Sequence, residues 1–413
     1  MRRQTLVGVA LLTPVLHLTV VGGAPVNLCA ADPIIGLGVL WLVWRFLTSG
    51  VRAPLLPLFC ATIAVTVLSL VVNSEITFFA RSPLGAVVAV LKGLFPWMYF
   101  YVAVSLIRTR PDLLLLLKSW VAGSAGLALT GIAGSVMYHV AGVENAFALD
   151  YRAHGTMGDA NFFSMHLGVS FFLAALYRRL AGGSRWVLAA MALQVMGMFF
   201  SASRSGMLGF GCGLLILVLL GAPLRWRLAA VSGMAALAAL VVMAPERGSW
   251  LASNPFTARL ATTTIDVGTT DRGKLWAAAF QNFVNAPVMG VGYENTPYVN
   301  LSIPGWPTET HNTYLNMMSE TGLLGLLVYL AVLLYYPAAL WRDLLRRNAA
   351  GCLPLVCLLA AFTNIGAVGV PVNVENYRNL WILMAFTYWF RVFYPRPEKG
   401  DAVTRLKLES VTP

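Results

Sequence analysis

His311 closes the longest polar stretch of an otherwise apolar chain, with Asn312 beside it and Gly322 and Gly325 in the apolar run that follows. Arg204 and Arg272 fall on the same side of the alternating apolar runs as His311. One base and two fixed cations at a membrane surface suit a lipid-linked phosphate substrate. Thr308 or Thr310 can cap the helix that follows, which puts His311 in its first turn. The positive end of the helix dipole disfavours an imidazolium there and keeps the ring neutral and able to accept a proton. Glu309 is near enough in sequence to orient the ring. The alternative is an interfacial histidine without chemistry.

Arg204 occupies a tight turn between two apolar runs. It reads either as an anchor that snorkels to headgroups or as an anion clamp, since the guanidinium fork pairs two oxygens at once. Arg272 opens a predicted amphipathic helix that Pro287 stops. Leu275, Trp276, Ala279, Phe280, Phe283 and Val284 share one face of it. This helix is expected along the outer interface, its apolar face toward lipid or the bundle. A cation in a first turn opposes the macrodipole, so Arg272 needs an acidic partner or an anion. Lys274 and Arg152 carry the same two readings, and Asn312 is placed to orient the histidine or a sugar.

Arg81, Arg247, Arg259 and Arg378 read as loop charges. His17, His139 and His166 lie in or beside apolar runs and read as satisfied packing; His154 either lines the site or faces water. No Asp-x-Asp, paired carboxylate or histidine cluster stands on the outer side, so neither a catalytic metal nor a cofactor is expected. The five cysteines are scattered and read as inert packing.

These residues hang on a membrane scaffold. Of 413 residues 58% are apolar and 11% charged, against about 25% charged in a soluble domain. Twelve runs have roughly helix-spanning length, near 4–23, 33–49, 54–73, 84–107, 112–141, 160–177, 186–202, 205–221, 227–244, 321–341, 350–371 and 378–395. An all-α polytopic protein follows, because lipid leaves a bare backbone without hydrogen-bond partners. The net charge of +12 is a topology signal. With the N-terminus inside, alternate loops place nineteen Lys and Arg inside and eight outside. Nucleic-acid binding is thereby not called for.

One transmembrane domain is expected over 1–395, including an outer loop at 245–320 with short helices of its own, and a short cytoplasmic tail at 396–413. The first run follows Arg2 and Arg3 as a signal peptide would, but its length favours retention as a span.

Residues 311–325 read H-N-x9-G-x-x-G, which resembles the signature of the family of O-antigen ligases, related polymerases and protein O-oligosaccharyltransferases. Arg152-Ala-His-Gly-Thr-Met-Gly-Asp-Ala-Asn161 is similar to the family's Arg…Gly…Asn segment before a span. Ser201-Ala-Ser-Arg204-Ser-Gly206 resembles its Ser-Arg-Ser/Gly turn. Arg272-Gly-Lys-Leu-Trp276 with Pro287-Val-Met-Gly290-Val-Gly292 resembles the segment preceding the histidine. The four matches fall in order over about residues 150–325.

The resemblance implies a membrane glycosyltransferase of GT-C-like class in the bacterial inner membrane, with a periplasmic active site and both termini cytoplasmic. It implies metal-independent, inverting transfer of polysaccharide from undecaprenyl diphosphate to lipid A-core oligosaccharide. His311 would be the base, and Arg204 and Arg272 would hold the diphosphate. Asn312, Lys274, Arg152 and Asn161 would be further substrate contacts. A polymerase and a protein O-oligosaccharyltransferase share these residues. A polyprenyl-lipid transporter is the alternative of a different kind, and the concentration of polar candidates on one side argues against it.

Overall fold

The computed structural model describes residues 2–14, 18–19, 27–49, 52–80, 83–149, 151–221, 223, 225, 271–300, 309–346 and 352–394. Within them the chain is helical. The first nine helices are α1 (Arg2–Leu12), α2 (Asp32–Ser49), α3 (Leu56–Val72), α4 (Ser74–Ala80), α5 (Pro83–Leu106), α6 (Arg110–Ala141), α7 (Ala160–Leu180), α8 (Arg185–Phe200) and α9 (Arg204–Gly221). The remaining five are α10 (Asp271–Asn285), α11 (Thr296–Val299), α12 (Thr313–Leu345), α13 (Leu353–Val368) and α14 (Arg378–Phe393). Two antiparallel pairs of two-residue strands interrupt this pattern, β1 (Leu18–Thr19) with β2 (Asn27–Leu28) and β3 (Ala148–Leu149) with β4 (Arg152–Ala153).

Among the described residues, α5, α6, α7, α9 and α12 are long and apolar enough to cross a membrane, and α3, α8 and α13 are shorter apolar helices. The protein is a polytopic membrane protein. Eleven of the twelve predicted runs meet a helix; the run at 227–244 lies outside the described residues. So do Arg81, Arg247, Arg259, His17, residues 245–270 and 301–308 of the outer loop and the tail from 395.

The first run is shorter as a helix than its hydropathy predicts. Helix α1 stops at Leu12, because Pro14 disfavours helical backbone at the residue before it. The thiol of Cys29 then donates to the Leu12 and Thr13 carbonyls at 3.1 and 2.8 Å.

Ion pairs fix which helix ends share a face. Asp112, in the first turn of α6, accepts from Arg2 at 2.8 Å and Arg3 at 3.2 Å. Arg391 near the end of α14 meets Asp343 near the end of α12 at 2.8 Å. On the opposite face Arg378 forks onto Asp32, Nε to Oδ1 and Nη2 to Oδ2, both at 3.0 Å. These pairings agree with the alternation of basic and sparsely charged loops. They also correct one expectation: Arg378 is no loop charge but a half-buried clasp between the starts of α2 and α14. The carboxylate of Asp32 is buried and further held by the Tyr99 hydroxyl at 2.5 Å, so the pair is desolvated rather than screened.

Helices α7, α13 and α14 form the interior. Phe163, Leu167, Val169, Phe172, Val356, Leu358, Ile365, Leu383 and Phe390 are at most 1% exposed, and α13 packs against both α7 and α9. His166 lies in this interior as a satisfied core residue. Its ring meets Ser124 Oγ, Tyr377 Oη and Asn379 Nδ2, each at 2.9 Å, and stacks on Trp120.

Candidate active site

The start of α12 carries the histidine. Asn312 is the helix cap, its Oδ1 accepting from the Tyr314 and Leu315 amides, both at 3.0 Å. This oxygen supplies two of the amides that a helix start leaves without partners. His311 therefore stands one residue outside the helix rather than in its first turn, and the cap is Asn312 rather than Thr310, with Thr308 outside the described residues. Its backbone is left-handed, φ 54°. Histidine visits this region more readily than most residues, yet such a backbone still costs ~1–3 kcal/mol and persists only where the surroundings enforce it.

A second helix start lies beside it. Asp159 caps α7, Oδ1 accepting from the Asn161 and Phe162 amides at 2.7 and 2.9 Å. The side chain of Asn161 gathers three donors on its own Oδ1: Ser203 Oγ at 2.8 Å, Ser205 Oγ at 3.1 Å and Arg152 Nη2 at 3.5 Å. Arg152 also donates through Nε to the Ser201 carbonyl at 3.2 Å. These contacts fasten the Ser201–Ser205 turn, in which Ala202 is left-handed at φ 47°, onto the start of α7. Arg204 is thus presented as the exposed first residue of α9. Gly206 makes the approach possible, since a Cβ there would lie 2.1 Å from Ser164 Oγ.

The third part is a backbone seam. Helix α12 is broken at Gly322 (φ 65°, ψ −162°). The segment after α10 docks into this break. Leu323 donates to the Pro287 carbonyl at 2.8 Å, Val291 to Ser319 at 2.9 Å and Gly292 to Glu320 at 3.0 Å. Gly290 and Gly322 face each other's backbones across the seam: a Cβ on Gly290 would meet Ser319 O at 2.3 Å, and one on Gly322 would meet Val288 O at 2.2 Å. The two glycine-containing motifs of the sequence are the two halves of one joint. Gly325, one turn on, leaves room for the Thr321 side chain, whose Oγ1 would lie 1.8 Å from a Cβ there, with Val65 Cγ1 of α3 next at 3.2 Å.

The joint aims α10. Leu275 and Ala279 are buried and pack it against α12, while Phe280 and Val284 on the same stripe are exposed. The amphipathic face is thus shared between bundle and surroundings. Arg272 and Lys274, both exposed, lie in its first turn.

Electrostatics tie these pieces together. The imidazole of His311 is held below the ordinary histidine range, first by burial, then by the nearby Arg272 cation, with Asp159 opposing both. The arginine of α10 and the cap of α7 therefore both lie within interaction range of His311, just before α12. His154 is likewise lowered by burial and by Arg152, and raised by Asp159; its Nδ1 lies 3.1 Å from the Gly155 carbonyl. The starts of four helices, α7, α9, α10 and α12, are linked in this way. A helix start headed by a cation suits an anion, and Arg204 heads α9 while Arg272 lies in the first turn of α10.

Sequence reasoning missed Asp159, although an Asp directly before an apolar helix start is a capping signal. Glu309, expected beside the ring, acts instead on Glu375; the carboxylate that acts on His311 is Asp159. Ser203 and Ser205 stood in the recognised turn, but nothing in sequence tied them to Asn161.

Residues 189–330 match the O-antigen ligase family, a stretch that contains Arg204, Arg272, Lys274, His311, Asn312, Gly322 and Gly325 but neither Arg152 nor Asn161. An O-antigen ligase of Pseudomonas aeruginosa is 27% identical over 141 residues, 33% of this chain and 35% of that one. The similarity thus spans about a third of the relative's length. The family resemblance read from the four motifs is borne out over the stretch that holds the histidine and both arginines.

Proposed function

We propose that the protein is an O-antigen ligase: a metal-independent, inverting glycosyltransferase that moves polysaccharide from undecaprenyl diphosphate to lipid A-core oligosaccharide. One observation carries this reading. Inside the matched region His311 is half-buried, kept neutral by burial and Arg272, and set among linked helix starts. The acceptor hydroxyl attacks the anomeric carbon and the sugar–phosphate C–O bond breaks with inversion. The bonding electron pair leaves on the diphosphate, and His311 takes the hydroxyl proton. Arg204 and Arg272 stabilise the departing charge where a divalent cation does so in many transferases. Asn161 and Arg152 hold the Arg204 turn in place, and Asn312 fixes the helix start that presents His311.

In this reading the chain crosses the inner membrane about twelve times with both termini cytoplasmic. The site then opens to the periplasm, where the donor is presented in the outer leaflet and the apolar helices shelter its polyprenyl chain.

The test is acceptor choice. Purified protein is given lipid-linked polysaccharide with lipid A-core, a second lipid-linked saccharide or a protein acceptor bearing hydroxyl side chains. Transfer to lipid A-core supports the ligase. Elongation of the lipid-linked chain alone makes the protein a polymerase, and transfer only to a protein hydroxyl makes it a protein O-oligosaccharyltransferase.

A further inference from the structure

The segment between α13 and α14 carries no motif, yet it grips the helix start that follows the histidine. The Thr313 amide donates to the Gly369 carbonyl at 2.9 Å, the Thr313 hydroxyl donates to the Val372 carbonyl at 2.9 Å, and the Val374 amide donates to that hydroxyl at 2.7 Å. Beyond these, Asn316 Nδ2 donates to Glu375 Oε1 at 3.1 Å, and Asn316 Oδ1 accepts from the Thr310 hydroxyl at 3.0 Å. A continuous path thus runs from Glu375 through Asn316 to Thr310, the residue before His311. All three are buried. The path spans the left-handed position from both sides, Thr310 before it and Thr313 after it.

Glu375 also lines a cavity between α3, α5, α12 and α14, walled by Trp97, Tyr293, Tyr329 and Trp381. Its Oε2 has no hydrogen-bond partner among the described residues. A buried carboxyl with one oxygen engaged and one unengaged in apolar surroundings is tolerable only while it bears a proton.

We propose that Glu375 is a positioning residue for His311, acting through Asn316 and Thr310 to hold the histidine in its left-handed conformation at the site. The inference rests on His311 being the base, as proposed above. Burial pushes Glu375 up to about 8, and Glu309 and Glu294 add to this. The titratable groups facing it are Glu309 before α12, Glu294 and Tyr293 before α11, and Tyr329 of α12. Lys92 of α5 is engaged by Glu294 at 2.9 Å. Ionisation of Glu375 therefore places a carboxylate beside two others, and the grip on Thr310–Asn316 loosens as pH rises through about 8.

The experiment compares wild type with Glu375→Gln, which keeps the accepting oxygen, and Glu375→Ala, which loses it. Two readouts are used: transfer kinetics, and the rate at which diethyl pyrocarbonate labels His311, followed by mass spectrometry. The second does not depend on which acceptor is right. In wild type, His311 labelling should quicken and kcat fall above about pH 8, and in Glu375→Gln both should stay level there. Glu375→Ala should label several-fold faster at neutral pH and lose about 10²-fold in kcat, with donor KM little changed. Identical pH profiles of His311 labelling in wild type and Glu375→Gln would overturn the proposal. If Glu375→Ala does not fold, the Gln comparison decides alone. A wild type without transfer activity, whatever the labelling shows, would count against the ligase reading instead.

Discussion

Replacing Gly322 by Ala should separate the two arms of the site. The residue sits at φ 65°, ψ −162°, a region essentially reserved for glycine, where a side chain costs ~1–3 kcal/mol. The added Cβ would also lie 2.2 Å from the Val288 carbonyl oxygen and 2.5 Å from the Met289 nitrogen. These are backbone atoms that no rotamer change can remove. The seam must open, and the bonds at risk are Leu323 to Pro287, Val291 to Ser319 and Gly292 to Glu320. At about 1 kcal/mol each, losing two or three brings the total to about 3–6 kcal/mol. The seam sets α10, and with it Arg272, against the start of α12. A shift of about 1 Å there should cost ~10²-fold in transfer rate. The assay is thermal unfolding of purified protein in detergent together with transfer kinetics. Gly36→Ala is the control, since its Cβ would meet nothing within 4 Å. A Gly322→Ala protein as stable and active as the Gly36→Ala control would refute the reasoning.

Three further outcomes follow from the site. Arg204→Lys and Arg272→Lys keep the charge and lose the fork, so transfer should fall at least tenfold, about the worth of one charge-assisted hydrogen bond; normal rates in both would remove the bidentate clamp. Because burial and Arg272 hold His311 below the ordinary histidine value, its neutral, basic form should persist below pH ~6.5, and the acid limb of kcat/KM should fall below that value. An Arg272→Gln variant should move this limb upward, and an unmoved limb would show that the arginine does not act on the histidine. A chelator such as EDTA should leave transfer by purified protein unchanged; inhibition reversed by added Mg²⁺ would disprove metal independence.

What the sequence made legible was governed by local pattern. Apolar runs announced the helices, and the stripe from Leu275 to Val284 announced α10. The contacts that define the site lie far apart along the chain. Arg378 looked like a loop charge because its partner Asp32 is 346 residues away. The helix start at 308–313 offered several capping side chains, and tertiary contacts chose among them: the bonds from Thr313 to Gly369 and Val372 leave Asn312 to cap. Glu375 was invisible because a glutamate in a short loop is ordinarily solvated; its meaning arises from Asn316, 59 residues earlier. The glycines were legible as parts of two motifs, but that Gly290 and Gly322 approach one another required the fold.

The central claim is that His311 takes the proton of the acceptor hydroxyl in a glycosyl transfer, and the most direct measurement is single-turnover transfer by purified wild type and His311→Ala. With labelled lipid-linked polysaccharide and lipid A-core acceptor, wild type should form product, and His311→Ala should bind donor normally but react about 10²–10⁴-fold more slowly. Equal rates in the two proteins would contradict the account.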